Sequence, residues 1–358
     1  MSAGAPRLKI NGFSIELTSR CNQQCRYCYN AWRDASAQEH DRADAAAILA
    51  RVRRLMDAFE IGHFTLTGGE PFASPAVFEL LELIRTRSID VHIISNGALI
   101  DDRIAARLAP FRPRYVQCTL NGPDAALHEA HTGPGQFERV LAGIRALQSC
   151  GVRVGGCIVI TRRNAARVGE TLALWQSLGI RQVALSRFSP AGYASRFASE
   201  LLPAVQDVHV ALEQALPFAT ERGMSLHSTM PLPPCAVETE RFKGIKFGSC
   251  AIGSPMQEFA LGPGGELRHC TLHRNPIGGV GDIQSDEVNL EALVTSEPVL
   301  RYKDSVPEFC QECAHARSCA GGCGAASEWA FDDARRTPDP FLWQHMDDGY
   351  AARLGRGH

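Results

Sequence analysis

Between residues 13 and 222 the chain alternates short apolar runs with amphipathic stretches, and this alternation limits its fold more than any other feature. The runs Phe13 to Thr18, His63 to Thr67, Val91 to Ser95, Tyr115 to Leu120, Val152 to Ile160 and Gln182 to Phe188 read as strands. Each precedes a helical pattern. Phe137, Val140, Leu141, Ile144 and Leu147, for example, recur every three to four residues and line one face. Helix starts are marked at Ser74-Pro75, with proline at the first helical position, and at Asp101-Asp102, with negative charge in the first turn. Strand–helix units in series imply a parallel sheet, because parallel neighbours need helical crossovers. Six units predict an open, partial (β/α) barrel in preference to a complete eight-unit one. A last helix around Leu201 to Arg222 closes this part. From Met230-Pro-Leu-Pro-Pro-Cys235 the chain turns rich in Pro, Gly and Cys, with little helical periodicity before about Leu290. The expected organisation is an α/β core over residues 1–228 followed by a small Cys-rich domain over 229–345.

A chain of 358 residues, 45% hydrophobic and 21% charged, can bury a large core. Its net charge of -2 gives no reason to expect nucleic acid or an anionic membrane as partner, although its basic residues are nearly all Arg. No apolar run approaches the roughly 20 residues of a membrane span, and the opening MSAGAPRLKINGFSIEL lacks the charged head and apolar stretch of a signal peptide. A cytoplasmic protein is expected, and there 13 cysteines need an explanation other than disulfides. Three fall at 21, 25 and 28, three are scattered at 118, 150 and 157, and seven lie between 235 and 323.

The first three stand in Glu16-Leu-Thr-Ser-Arg-Cys21-Asn-Gln-Gln-Cys25-Arg-Tyr-Cys28, directly after the first predicted strand. That is the end of a parallel sheet where active sites gather. Three soft thiolates on a short loop can each bind one iron of a 4Fe-4S cubane and leave the fourth iron open. A thioredoxin-like Cys25-Arg-Tyr-Cys28 pair ignores Cys21, and a zinc loop wants a fourth ligand nearby. After the second strand, Thr67-Gly68-Gly69-Glu70-Pro71 supplies two residues without side chains, where a ligand can approach the backbone, and then one carboxylate suited to an ammonium group. Gly-Gly before Pro is also ordinary turn chemistry. Ser95-Asn96-Gly97 follows the third strand at the same end of the sheet.

Together these residues resemble the radical S-adenosylmethionine (SAM) superfamily, whose pattern is CxxxCxxC after strand one with an aromatic before the last Cys, here Tyr27, and GGEP after strand two. The resemblance spans about residues 12 to 225. It implies that the open iron chelates SAM, that reductive cleavage gives a 5'-deoxyadenosyl radical, and that this radical abstracts a substrate hydrogen inside the barrel. It further implies that Gly68, Gly69, Glu70 and Pro71 hold the methionine ammonium, and that Asn96 and Thr119 contact the ribose or carboxylate. Many relatives carry an Arg after the fourth strand for that carboxylate; in His128-Glu-Ala-His131-Thr132-Gly133 the place is taken by Thr132. Arg187 at the end of strand six is a candidate substitute, although an arginine is more often a surface residue.

The later cysteines resemble the SPASM domain of radical enzymes with auxiliary clusters. Cys250 precedes Gly265 and Cys270 at the domain's spacing, and Cys310, Cys313, Cys319 and Cys323 follow as CxxCx5Cx3C. By that resemblance a first auxiliary 4Fe-4S cluster takes Cys250, Cys270 and Cys323 with Cys235 as fourth ligand, and a second takes Cys310, Cys313 and Cys319. A single zinc at 310 to 323 is the alternative. The final Cys of the pattern is missing, so the second cluster has an oxygen or nitrogen ligand, with Asp339 and His345 nearest, or an open iron, or does not exist.

Cys118, Cys150 and Cys157 read as core residues, free Cys being among the most buried types. Cys157 is the exception to watch, since a thiol facing the barrel could return a hydrogen atom to a substrate radical. His128 and His131 read as loop residues. The stretch before the first strand is too short for a peptide-leader-binding module, and Thr271 stands where anaerobic sulfatase-maturing relatives carry Asp. The expected function is C–H activation on a peptide or protein by a radical SAM/SPASM enzyme, with a flavodoxin or ferredoxin as electron donor. The alternatives are the same chemistry on a sugar-derived or tetrapyrrole-type metabolite, or a non-enzymatic iron-sulfur electron carrier, which would not need GGEP.

Overall fold

The computed structural model describes residues 6–30, 33, 45–331 and 337–345. Strand and helix alternate as β1 (Leu8–Glu16), α1 (Ala45–Ala58), β2 (Phe59–Thr67), α2 (Val77–Arg85), β3 (Asp90–Ile94), α3 (Asp102–Leu108), β4 (Tyr115–Thr119), α4 (Ala125–Thr132), α5 (Phe137–Ser149), β5 (Val154–Ile160), α6 (Val168–Ser177), β6 (Gln182–Arg187), α7 (Ala198–Leu201), α8 (Val205–Thr220) and β7 (Ser225–Ser228). Three short strands follow: β8 (Ile245–Phe247), β9 (Glu258–Leu261) and β10 (Leu267–Arg268). All ten form one sheet in the order β10-β9-β1-β2-β3-β4-β5-β6-β7-β8, parallel throughout except for the β9–β10 hairpin. Sequential parallel pairing from β1 to β8 with helical crossovers is the partial barrel that the alternation predicts.

All six predicted strands are present. β1 and β2 begin five and four residues earlier than their apolar runs suggest, because the added stretches mix buried Phe59 and Ile61 with exposed Lys9, Glu60 and Gly62 and so hold no continuous apolar run. β7 to β10 were not foreseen; they have four residues or fewer, too short to show a period. Asp101 caps α3 by accepting from Ile104 N at 2.8 Å, and Asp124 caps α4 from Leu127 N at 2.9 Å. α2 begins at Val77, two residues beyond Pro75, because Pro71 to Ala73 first form a 3-10 turn.

The core lies between the sheet and its helices. α5 buries Phe137, Val140, Leu141, Ile144 and Leu147, the stripe read from the sequence. The sheet runs on past residue 228: β9 pairs with β1, and Phe259 packs its ring 5.9 Å from Phe13. Arg51 of α1 reaches the same region, meeting Asp282 at 2.7 Å and the Pro263 carbonyl at 3.1 Å. No helix among the described residues is long and apolar enough to cross a membrane.

Candidate functional site

The loop carrying the first three cysteines is held by backbone hydrogen bonds to three neighbouring elements. On the β2 side, Leu17 N donates to Thr67 O at 3.0 Å, Gly69 N to Thr18 O at 2.8 Å and Glu70 N to Arg20 O at 2.8 Å. Arg26 N donates to His131 O at the end of α4 at 2.9 Å, and Ala194 N, beyond β6, donates to Cys28 O at 2.8 Å. The approach to β2 leaves no room for side chains. Gly68 has φ +124°, and a Cβ there would stand 2.8 Å from Thr18 O; one on Gly69 would collide with the Arg20 carbonyl. The glycines of GGEP are therefore required by the cysteine loop itself, quite apart from any ligand.

The three thiols share one charge environment. Burial pushes Cys25 up to about 12, with Cys28 and Cys21 adding to it, and burial likewise raises Cys21. Cys21 and Cys25 are thus costly to ionise without a cation, and with Cys28 they make a suitable donor set for soft, positively charged iron. The Arg33 guanidinium hydrogen-bonds Cys28 and adds positive charge beside the group. Among the described residues no three Cys, His, Asp or Glu side chains meet as a site for a single metal ion.

Glu70 is fully buried and accepts from Ser95 Oγ at 2.8 Å, Asn96 N at 2.8 Å and Phe72 N at 3.2 Å, so it ties the GGEP turn to the end of β3. Burial pushes its carboxyl up to about 7 against those three donors. Asn96 directs its amide to Cys21 Sγ at 3.7 Å and Asn22 Oδ1 at 2.8 Å. Thr119 pairs in register with Cys157 and hydrogen-bonds its thiol, which burial pushes up to about 12. The half-buried Tyr27 adjoins both Cys25 and Cys157. Tyr27, Asn96, Thr119 and GGEP thus gather with the three cysteines at the C-terminal ends of β1 to β5. Cys118 belongs to the core between sheet and helices and Cys150 packs against it.

His128 and His131 are not loop residues. Both lie in α4 and are buried; His131 Nε2 meets Thr161 Oγ1 at 2.9 Å, and His128 Nδ1 accepts from Asn121 N at 3.2 Å. Asn164 Nδ2 completes this polar layer by donating to Asn121 O at 3.0 Å. The Asp124 cap was the available signal that a helix covers both histidines.

Residues 15–174 match the sequence profile of the Radical SAM superfamily. This stretch of the chain is a radical SAM domain. It is 27% identical over 315 residues to a mycofactocin maturase MftC of Mycobacterium tuberculosis, covering 87% of this chain and 77% of the relative. It is 25% identical to the PqqA peptide cyclase of Gluconobacter oxydans, covering 86% and 84%. Against an AdoMet-dependent heme synthase of Nitratidesulfovibrio vulgaris it is 26% identical, covering 90% and 89%. Among solved structures, native anSMEcpe with bound AdoMet and Cp18Cys peptide has the same fold, with TM-score 0.68, 18% identity and coverage of 96% and 98%. This radical SAM enzyme accordingly uses S-adenosylmethionine and a 4Fe-4S cluster.

Beyond the barrel the enzyme's remaining thiols fall into two neighbourhoods. Cys270 and Cys323 pack with Met230, Ala325 and Ala326, and Cys250 adjoins both. Cys313 and Cys319 lie elsewhere, with Cys310 opening their turn through Cys313 N to Cys310 O at 3.1 Å. The sequence reading groups Cys235 with the first set. In the structure its thiol neighbour is Cys313, and it is itself a neighbour of Cys319.

Arg187 and Asp339, offered above for two different roles, bind each other. They form a buried ion pair, Asp339 Oδ2 also accepts from Cys323 N at 3.0 Å, and Phe341 N donates to Oδ1 at 3.0 Å. The side chain of His345 lies outside the described residues. A second buried pair, Arg268–Glu16, ties the strand before Cys270 to β1, and the Tyr29 hydroxyl hydrogen-bonds both Thr67 and Thr271. The turn bearing Cys270 is therefore fixed to the loop bearing Cys28. Neither link has a sequence signal, since each joins residues far apart in the chain.

Proposed function

We propose that this radical SAM/SPASM enzyme performs C–H activation on a peptide or protein substrate in the cytoplasm, receiving its electron from a flavodoxin or ferredoxin. The observation that carries the reading is the fixing of the Cys270 turn to the first cysteine loop by Tyr29 and by Arg268–Glu16, along a length that matches a mycofactocin maturase and a PqqA peptide cyclase across most of each chain. In this reading Cys21, Cys25 and Cys28 hold the radical cluster. Tyr27, Gly68 to Pro71, Asn96 and Thr119 surround SAM, and cysteines beyond the barrel hold auxiliary clusters. When bound, the cluster and SAM supply a 5'-deoxyadenosyl radical. The chain's own part is to fix the thiols, offer the Glu70 carboxylate near an ammonium group and keep water out by the buried layer around His131 and Asn121. The thirteen free cysteines agree with a reducing compartment.

The test is anaerobic reconstitution followed by dithionite and SAM, with a short peptide encoded beside the gene as substrate. The expected result is 5'-deoxyadenosine together with a mass change in the peptide. No 5'-deoxyadenosine from protein whose first cluster is spectroscopically intact would overturn the reading. The heme synthase relative favours one rival, a tetrapyrrole-type substrate. Product formation from a porphyrin precursor with none from the peptide would select it.

A further inference from the structure

With Cys323 placed beside Cys250 and Cys270, the second auxiliary set keeps Cys310, Cys313 and Cys319 and is one thiol short, because no cysteine follows Cys323 in the sequence. Asp339 stands nearest in sequence to the missing position, but both its oxygens are engaged by Arg187 and by the backbone amides of Cys323 and Phe341. Turning it toward iron would leave Arg187, 2% exposed, as an unpaired buried cation. Asp339 is therefore committed elsewhere, and a thiol from another segment is the better donor.

One such segment is in place. Residues Pro233 to Val237 form a tight turn, with Ala236 N and Val237 N both donating to Pro233 O at 2.9 and 3.0 Å. Ala236 and Val237 are buried in the main core and anchor the turn, which leaves Cys235 between them and the Pro pair, exposed. The Pro233 ring lies 3.1 Å from where a Cβ on Gly322 would stand, so the turn packs on the backbone between Cys319 and Cys323. Gly322 has φ +90° and needs no Cβ, which permits that approach. From this position the Cys235 thiol adjoins Cys313 and Cys319. The thiol neighbours of Cys323 are instead Cys270 and Cys250, and Asp339 lies near both Cys323 and Cys319.

We propose that Cys235 is the fourth thiolate of the second auxiliary cluster, with Cys310, Cys313 and Cys319, supplied from the chain upstream in place of the cysteine missing downstream. The first auxiliary cluster then keeps three thiolates, from Cys250, Cys270 and Cys323, and one of its irons is free for a non-protein donor. This rests on the auxiliary clusters of the proposed function but not on its substrate.

Ligation can be read without turnover. In the full-length chain carrying Cys21→Ala, Cys25→Ala and Cys28→Ala, about eight irons at four per cluster are expected. Electron paramagnetic resonance of the reduced protein should then show two signals. Cys235→Ala and Cys319→Ala should alter the same one, and Cys270→Ala the other. If Cys235→Ala alters the signal that depends on Cys270, or neither signal, the assignment is wrong. Cys235→Ser keeps a weaker ligand should the alanine variant not fold. As a check free of any change at Cys235, cyanide added to the otherwise unaltered auxiliary clusters should shift only the Cys270-dependent signal. A shift of the Cys319-dependent signal, or an iron count near four, would overturn the proposal. Absence of 5'-deoxyadenosine formation in the wild type leaves these readouts untouched, so the two failures are distinguishable.

Discussion

The two cysteine-bearing parts of this enzyme are built by opposite means. The loop of Cys21, Cys25 and Cys28 is a single continuous stretch, hung by main-chain hydrogen bonds on the ends of β2, α4 and the segment after β6. The C-terminal thiols come from four separate stretches, around 235, 250, 270 and 310 to 323, and are brought together by buried side-chain pairs, Arg187–Asp339 and Arg268–Glu16. A site held by backbone geometry tolerates side-chain changes around it. One held by ion pairs depends on them, since removing one partner strands the other's charge in the interior.

The comparison can be broken at either end. The largest effect should follow replacement of Cys21, Cys25 or Cys28 by Ala. Each should bring 5'-deoxyadenosine formation below detection by chromatography while leaving the auxiliary iron and the unfolding midpoint nearly unchanged, because the loop's main-chain bonds survive. Loss of all iron would mean that the two parts assemble as one unit. Next in size is Asp339→Asn or Arg187→Met, each expected to cost about 3–5 kcal/mol in denaturant unfolding. The double variant Arg187→Met with Asp339→Leu should recover much of that loss. A loss in either single variant below about 1 kcal/mol would show that the pair does not hold the C-terminal part.

The same difference governs what could be read in the sequence. The barrel was legible from the strand–helix alternation, and the first site from CxxxCxxC and GGEP, because their geometry is local: the Gly69 clash with Arg20 follows from chain positions that a motif records. β7 to β10 were too short to signal. The neighbours of Cys235 were not legible, since spacing along the chain says nothing about a turn that folds back onto Gly322. Asp339 and Arg187 each looked available for a ligand, because composition cannot show that a charge is already spent on a partner 152 residues away.

A smaller effect distinguishes Glu70 from the exposed carboxylates. Burial raises it from 4.5 to about 7, so the free chain's contribution from this group is full below pH 4.5 and is lost as pH rises through 7. SAM binding should have the opposite sign: an ammonium partner favours the carboxylate, so affinity should fall as pH drops below about 7, by up to about tenfold per unit. Equilibrium binding from pH 6 to 8.5 reads this, and Glu70→Gln should flatten the profile. A slope that persists in the variant would move the effect to another group.

The smallest expected effect concerns Cys157, the thiol that belongs to neither part. It faces Thr119 and Tyr27 beside the first site, yet burial keeps it protonated far above neutral pH, and its hydrogen-bond partner is the Thr119 hydroxyl. Packing is then its main role, and Cys157→Ala should cost about 1 kcal/mol, as for removal of a small buried group. The rate of 5'-deoxyadenosine formation and the peptide product should both be unchanged. A different product, or deuterium from solvent no longer entering the peptide, would instead make Cys157 a hydrogen donor to the substrate radical. That outcome would add a third kind of cysteine to the two compared here, one that works because it remains a thiol.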